Sequence, residues 1–205
     1  MPFPAKLSRD TILQTAMTLV EEGPRTPGEP PDAPLSLRSL ADALGVRASS
    51  LYRHYADRDT LDTAIADEGS RLLLQQLQAD TRALSPEDAM RQAAHTYLRF
   101  AHSRPRLYAL MHAPRPLALS PEGPGKDLWR ALLNLVGQVT GRQDDTSGVV
   151  AFWCFLHGFV ALEASGQFGA SGPAGGFERG LDALITGLAG TGSNIGAGRD
   201  PVTLD

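Results

Sequence analysis

Apolar residues recur every three or four positions along most of this chain, the spacing of helices with one buried face. Ile12, Ala16, Leu19 and Val20 make the first such stripe, behind Ser8 as N-cap and ahead of a stop at Gly23. Leu37, Leu40, Ala41 and Leu44 make the second, capped by Ser36 and closed by Gly45, with Val46 placed for burial in the turn. A short third helix is expected from about Ala48 to Tyr55, with Leu51 and Tyr55 inward. Asp57 caps a long fourth helix carrying Leu61, Ala64, Ile65 and Leu72 and ending near Leu84. Ser85-Pro86-Glu87-Asp88 starts a fifth, with Ala89, Ala93, Tyr97, Phe100 and Ala101 on one face. Arg104-Pro105 breaks it, and a short helix with Leu107, Tyr108 and Met111 follows. Leu128, Leu132, Leu135, Val136 and Val139 define the next helix. The last two, from about Thr146 to Phe168 and from about Gly176 to Ala189, are the most apolar. No segment alternates with the period of two that a half-buried strand needs. The expected fold class is all-α: an N-terminal helix-turn-helix domain (1–60), a C-terminal helical bundle (61–190) and a disordered tail (191–205).

Two stretches interrupt the pattern. Residues 24–34, PRTPGEPPDAP, hold five of the fifteen prolines and predict a mobile or partly polyproline loop. Pro114, Pro116, Pro121 and Pro124 mark a second loop.

Composition narrows the function. The chain has 205 residues and a formal charge of -4, so a nucleic-acid site must be a local basic patch on an acidic molecule. The stretch from Ser36 to Arg58 is such a patch, with Arg38, Arg47, Arg53 and Arg58 against Asp42 and Asp57. It reads as a helix-turn-helix, which places a short helix in the major groove of DNA. Ser36 and Arg38 open its first helix and suit a phosphate; Arg47, Ser49, Ser50 and Arg53 can reach base edges; His54 and Arg58 are expected on phosphates. The alternative is an ordinary pair of helices, in which these charges are only a solvated face.

The remaining candidates are weaker. A single cysteine, Cys154, excludes an intrachain disulfide and points to a reducing compartment; in its apolar helix it reads as a small buried hydrophobe. The run from Val149 to Leu162 falls short of the ~20 residues that span a bilayer, so no membrane is expected. MPFPAKLSRD lacks the apolar core of a secretory signal, which makes the expected location cytoplasmic. His95 and His102 lie seven apart with no third ligand, so no metal and no cofactor are expected. Gly190, Gly192, Gly196 and Gly198 follow no strand and make no phosphate loop. Aromatics and polar groups mingle in the C-terminal half: Tyr97, Phe100, Tyr108, Met111, Trp129, Trp153 and His157 each read singly as core packing, and together they are candidates to line a pocket for an apolar or aromatic molecule, which the resemblance described below implies. No nucleophile-base pair supports the competing reading of a helical enzyme.

Ser8-Arg9-Asp10, Leu40-Ala41, Leu44-Gly45-Val46 and Leu51-Tyr52-Arg53-His54-Tyr55 with Arg58-Asp59 together resemble the DNA-binding domain of the TetR family of transcriptional regulators. Trp153, His157 and Gly158 resemble the Trp-x-x-x-His-Gly motif of one type of TetR ligand domain. The resemblance implies a homodimer on double-stranded DNA with a palindromic operator, released by a small-molecule effector. It also implies that Tyr52 brings its hydroxyl to the DNA backbone. The last two apolar helices are expected to form the dimer. A regulator of the same fold that senses no ligand is the alternative. Two departures stand out: the long proline-rich connection, and Leu37 where the family often has a hydroxyl that touches DNA.

Overall fold

The computed structural model describes residues 7–23, 35–114 and 123–193. Among them the chain is all-helical: α1 (Arg9–Glu22), α2 (Leu37–Ala43), α3 (Ala48–Leu51), α4 (Arg58–Asp80), α5 (Pro86–Ser103), α6 (Pro105–Met111), α7 (Pro124–Thr140), α8 (Thr146–Ala164) and α9 (Gly176–Ser193). The predicted proline-rich loop 24–34, most of the second loop and the tail beyond Ser193 lie outside the described residues. Two compact units are present, and the division between them falls within α4, α5 and the start of α7.

The first unit comprises residues 1–73 and 100–126. Ser8 caps α1, its hydroxyl accepting from the Thr11 amide at 3.1 Å. Ile12, Ala16, Leu19 and Val20 are buried as their spacing predicts. Ser36 caps α2 by accepting from the amides of Arg38 and Ser39, and Leu40 and Ala41 bury its inner face. The turn after α2 is a left-handed closure. Gly45 has φ +65, its amide donates to the Asp42 carbonyl, and the Val46 amide donates to the Ala41 carbonyl. Val46 itself is only half-buried, because that closure leaves its side chain at the edge of the unit.

Helix α6 packs on α1. Arg106 donates to the carbonyl of Glu21 at 3.2 Å, and Arg104 pairs with the Glu21 carboxylate at 3.1 Å. These contacts satisfy the last turn of α1, where carbonyls lack partners and negative partial charge accumulates. Gly23 leaves room for this clasp: a Cβ there would fall 1.8 Å from an Arg106 guanidinium nitrogen. Gly69, buried in α4, does the same for α6, since a Cβ there would sit 2.7 Å from the Met111 sulfur.

The second unit comprises residues 74–99 and 127–205. Its core gathers Leu77, Met90, Ala93, Ala94, Val136, Val149, Phe152, Leu156, Leu181 and Ile185. Helices α8 and α9 pack through Phe155 stacked on Phe177 at 5.5 Å and Phe159 edge-on to Phe177 at 4.8 Å. Asp80 accepts from Thr96 and from Arg99, each at 2.6 Å, and ties the end of α4 to α5.

Several boundaries differ from the sequence reading. α3 is one turn, ending at Leu51 instead of Tyr55, and the chain continues in turns through His54. α4 stops at Asp80, short of Leu84, and Ala83 takes a left-handed φ of 61 in the turn that follows. α8 ends at Ala164 because Gly166, at φ +71, closes it, so it does not reach Phe168. α9 runs past Ala189 to Ser193, so the first residues assigned to a disordered tail are helical. Cys154 is exposed, not buried: it faces outward on α8 with Val150 and Trp153. By length and composition α8 could cross a membrane, alone among the described helices. Its packing on α9 uses the same residues as a core helix.

Gly45 tests the α2 closure. A Cβ there meets nothing within 4 Å, so the cost of Gly45→Ala is purely conformational. Chemical denaturation is expected to show a loss of about 1–2 kcal/mol, with Gly45→Asn closer to the parent because asparagine tolerates this region.

Candidate nucleic-acid interface and effector site

The third helix is too short to hold itself and is fixed by the residues on either side. Leu51 is 2% exposed and Tyr55 4% exposed, so both are anchors in the core. The Tyr55 hydroxyl donates to the Arg9 carbonyl at 3.2 Å, and the Arg9 guanidinium lies 4.8 Å from the centre of the Tyr55 ring. The start of α1 therefore positions the end of the helix-turn-helix. Sequence reading placed Tyr55 inward but missed Arg9, because a contact across forty-six residues leaves no local pattern.

Outward, the unit presents Arg38, Arg47, Ser49, Tyr52 and Arg53 as exposed side chains, with Ser36, Ser50 and His54 half-buried beside them. Tyr52 is 54% exposed and does not join Leu51 in the core. Ser36 spends its hydroxyl oxygen on the cap of α2. Arg58 is not a free cation: its Nε donates to both Asp62 carboxylate oxygens, at 2.7 and 2.8 Å. To reach a phosphate it would have to leave that pair. Of the two acids in the stretch, Asp57 is occupied in capping α4. It accepts from the amide and the hydroxyl of Thr60, each at 2.7 Å, and these bonds hold its carboxyl below the usual aspartate range. With Arg58 engaged, Arg38, Arg47 and Arg53 are the exposed arginines of the stretch. Such a face can donate to phosphates and to guanine edges.

Residues 90–184 match the family described as Tetracyclin repressor-like, C-terminal domain. An uncharacterized HTH-type transcriptional regulator of Mycobacterium tuberculosis is 28% identical over 166 residues, covering 80% of this chain and 73% of the relative. By these matches the chain is similar to TetR-type transcriptional regulators. Solved structures show the same fold. A protein of unknown function from Rhodococcus sp. RHA1 has a TM-score of 0.70 at 23% identity, covering 92% of this chain and all of that one. Apo ActR from Streptomyces coelicolor has a TM-score of 0.66 at 20% identity, covering 95% of this chain and all of that one. A TetR variant from Acinetobacter baumannii AYE, solved with minocycline, has a TM-score of 0.62 at 18% identity, covering 89% and 97%.

The seven residues expected to line one effector pocket divide between the two units. Phe100, Tyr108 and Met111 belong to the first unit, where Phe100 and Tyr108 are buried and Met111 packs on Gly69. Tyr97, Trp129, Trp153 and His157 belong to the second. There Trp153 stands 6.4 Å from both the Trp129 and the His157 rings, and is itself 40% exposed. Trp153 is therefore at a surface, not inside an apolar run.

The second unit also holds an open cleft of about 400 Å³, walled by the end of α4, the turn after it, the start of α5 and one face of α7. None of the seven expected residues lines it. Its residues had been read as ordinary core stripes, Ala89 and Ala93 on α5 and Leu132 and Leu135 on α7.

Asp57 gives a pH test of the interface's support. Its carboxyl is lowered in the folded chain, so its contribution is complete above the ordinary aspartate range and disappears as pH falls through the lowered value. Thermal unfolding of Asp57→Ala is expected to show a deficit at neutral pH. That deficit should close as the pH is brought below the ordinary aspartate range.

Proposed function

We propose that this regulator is a homodimeric repressor that binds a palindromic operator through α2 and α3 and releases it when a small, largely apolar molecule enters its C-terminal part. The observation that carries the DNA half of the reading is the exposed set Arg38, Arg47, Ser49, Tyr52 and Arg53, spread over α2, the one-turn α3 and the residues flanking α3, with Leu51 and Tyr55 buried behind them. Residues 1–60 would serve DNA and residues 61–190 the effector and the dimer. Arg47, Ser49, Ser50 and Arg53 would read base edges. Ser36, Arg38, Tyr52 and His54 would meet the backbone, and Arg58 would join them only by leaving Asp62. Symmetric half-sites one turn of DNA apart, ~34–36 Å, would match the two recognition helices. The effector would lower affinity by its differential binding to a form with another separation. Such a protein would work in the cytoplasm, at the nucleoid.

The dimer half rests on α8. Val150, Trp153 and Leu162 are 43%, 40% and 47% exposed, an apolar surface unusual for a lone chain. The inner stripe of α9, by contrast, is spent within the chain: Phe177, Leu181 and Ile185 are buried, and Leu184 and Leu188 are half-buried. The seam would therefore be centred on α8 with the outer edge of α9. A twofold axis is the commonest way to bury a patch against its own copy.

Footprinting of the region upstream of its own gene tests the DNA half. Arg53→Ala is expected to cost about 1–3 kcal/mol at the protected site and to relax base preference at one position in each half-site. An equal loss on random DNA would reduce Arg53 to a phosphate contact.

For the dimer, Leu162→Glu is expected to sediment as monomer with unchanged helical circular dichroism and to lose the footprint. A dimer in that variant would move the seam off α8.

A further inference from the structure

We infer that Asp62 sets the DNA affinity of this chain: it holds the Arg58 guanidinium away from phosphate and keeps binding to every sequence weaker than Arg58 would otherwise make it. The inference rests on the proposed operator binding and names a residue that limits it. Arg58 is the first residue of α4 and follows the buried Tyr55 closely. The Asp57 cap on Thr60 fixes this start of α4 beside the helix-turn-helix. The charge of Arg58 is taken elsewhere. Its Nε donates to Asp62 Oδ1 at 2.7 Å and to Oδ2 at 2.8 Å. Asp62 stands four residues on, one turn further along α4. The pair therefore draws the guanidinium along the helix, away from the residues that precede it. The two side chains are 28% and 24% exposed, so the pair is partly sheltered and is screened by salt less than a fully exposed one.

Helix stability does not ask for this arrangement. A cation in the first turn opposes the helix dipole. A basic residue four positions ahead of an acid is the less favourable order for such a pair. Asp59 already supplies the acid that the first turn favours. A phosphate suits Arg58 better, because the guanidinium fork can meet it with two parallel hydrogen bonds. Asp62 competes for that fork. Each phosphate contact by Arg58 breaks the carboxylate pair, and only the difference appears as affinity. Phosphates carry no base identity, so the competition weakens operator and random DNA alike. An operator held less tightly is released by a smaller differential binding of an effector.

The test measures the full chain on a fluorescein-labelled duplex of random sequence, by anisotropy across a salt series. Asp62→Asn keeps the shape of the side chain and removes its charge. It is expected to bind about three- to fivefold more tightly per subunit engaged at ~0.15 M salt, and to steepen the fall of log affinity with log salt by up to about 1 per subunit. Asp62→Ala is expected to gain likewise, which keeps the test open if the asparagine oxygen still holds Arg58. Asp59→Asn removes an exposed charge from the first turn of the same helix and is expected to gain less, with the slope unchanged. In an Arg58→Ala background, Asp62→Asn is expected to gain no more than Asp59→Asn does. The inference is overturned if both Asp62 variants bind like wild type, or if the full gain survives without Arg58. It is also overturned if they bind more weakly, which would make Asp62 a brace for Arg58. Footprinting of the wild type upstream of its own gene is a separate reading. A wild type that protects a site, while the Asp62 variants gain nothing, removes the brake and leaves the regulator. A chain that binds no DNA in any variant removes both.

Discussion

The exposed face of the helix-turn-helix depends on the burial of Leu51, the last residue of a helix one turn long, and of Tyr55 four residues beyond it. Nucleating a helical turn is unfavourable by a factor of about 10⁻³, roughly 4 kcal/mol. Burying one large apolar side chain contributes about 1.5–3 kcal/mol. One anchor would leave α3 marginal, and two make it a fixed platform. The two anchors are distinct in kind. Leu51 is held by packing alone, whereas Tyr55 adds a hydrogen bond and a ring contact to Arg9. The recognition surface is thereby referred to the start of α1, so a change in the attitude of α1 is felt at Tyr52 and Arg53.

The other end of α1 is held as deliberately. Arg104 and Arg106 reach the Glu21 side chain and carbonyl, while Gly23 vacates the space their guanidinium groups occupy. Exposed ion pairs contribute little by themselves, about 0–1 kcal/mol. The carbonyl contact matters more for geometry, because a guanidinium fork on a helix end fixes direction as well as distance. Gly69 brings α6 close to α4 on its other side. Within this unit α6 is thus clasped to α1 and seated on α4, a position from which any displacement of α6 loads the helix that supports the recognition turn.

In the second unit, apolar surface is used in three ways that a residue list does not separate. Phe152, Leu156 and Leu181 are closed into a core. Val150, Trp153 and Leu162 remain on the outside of α8. Leu132 and Leu135 stand along a cleft. All eight are large and apolar, and only the neighbouring helices decide which are sealed and which stay open.

What the sequence determined by itself was local. Helix spacing, the serine and aspartate caps at Ser8, Ser36, Asp57 and Ser85, the left-handed closure at Gly45 and the break at Pro105 all act within a few residues. Each was therefore legible from the order of side chains. The exposed donors of the helix-turn-helix were legible for the same reason, since burial of Leu51 and Tyr55 turns Tyr52 and Arg53 outward. Tertiary structure decided what depends on partners distant along the chain: the Arg9–Tyr55 contact, the exposure of Cys154 and Trp153, and the cleft beside α7. A helical stripe records that a face is covered and not what covers it. Leu132, Leu135 and Val136 have the same pattern in sequence and different fates because the helices opposite them carry different volumes of side chain.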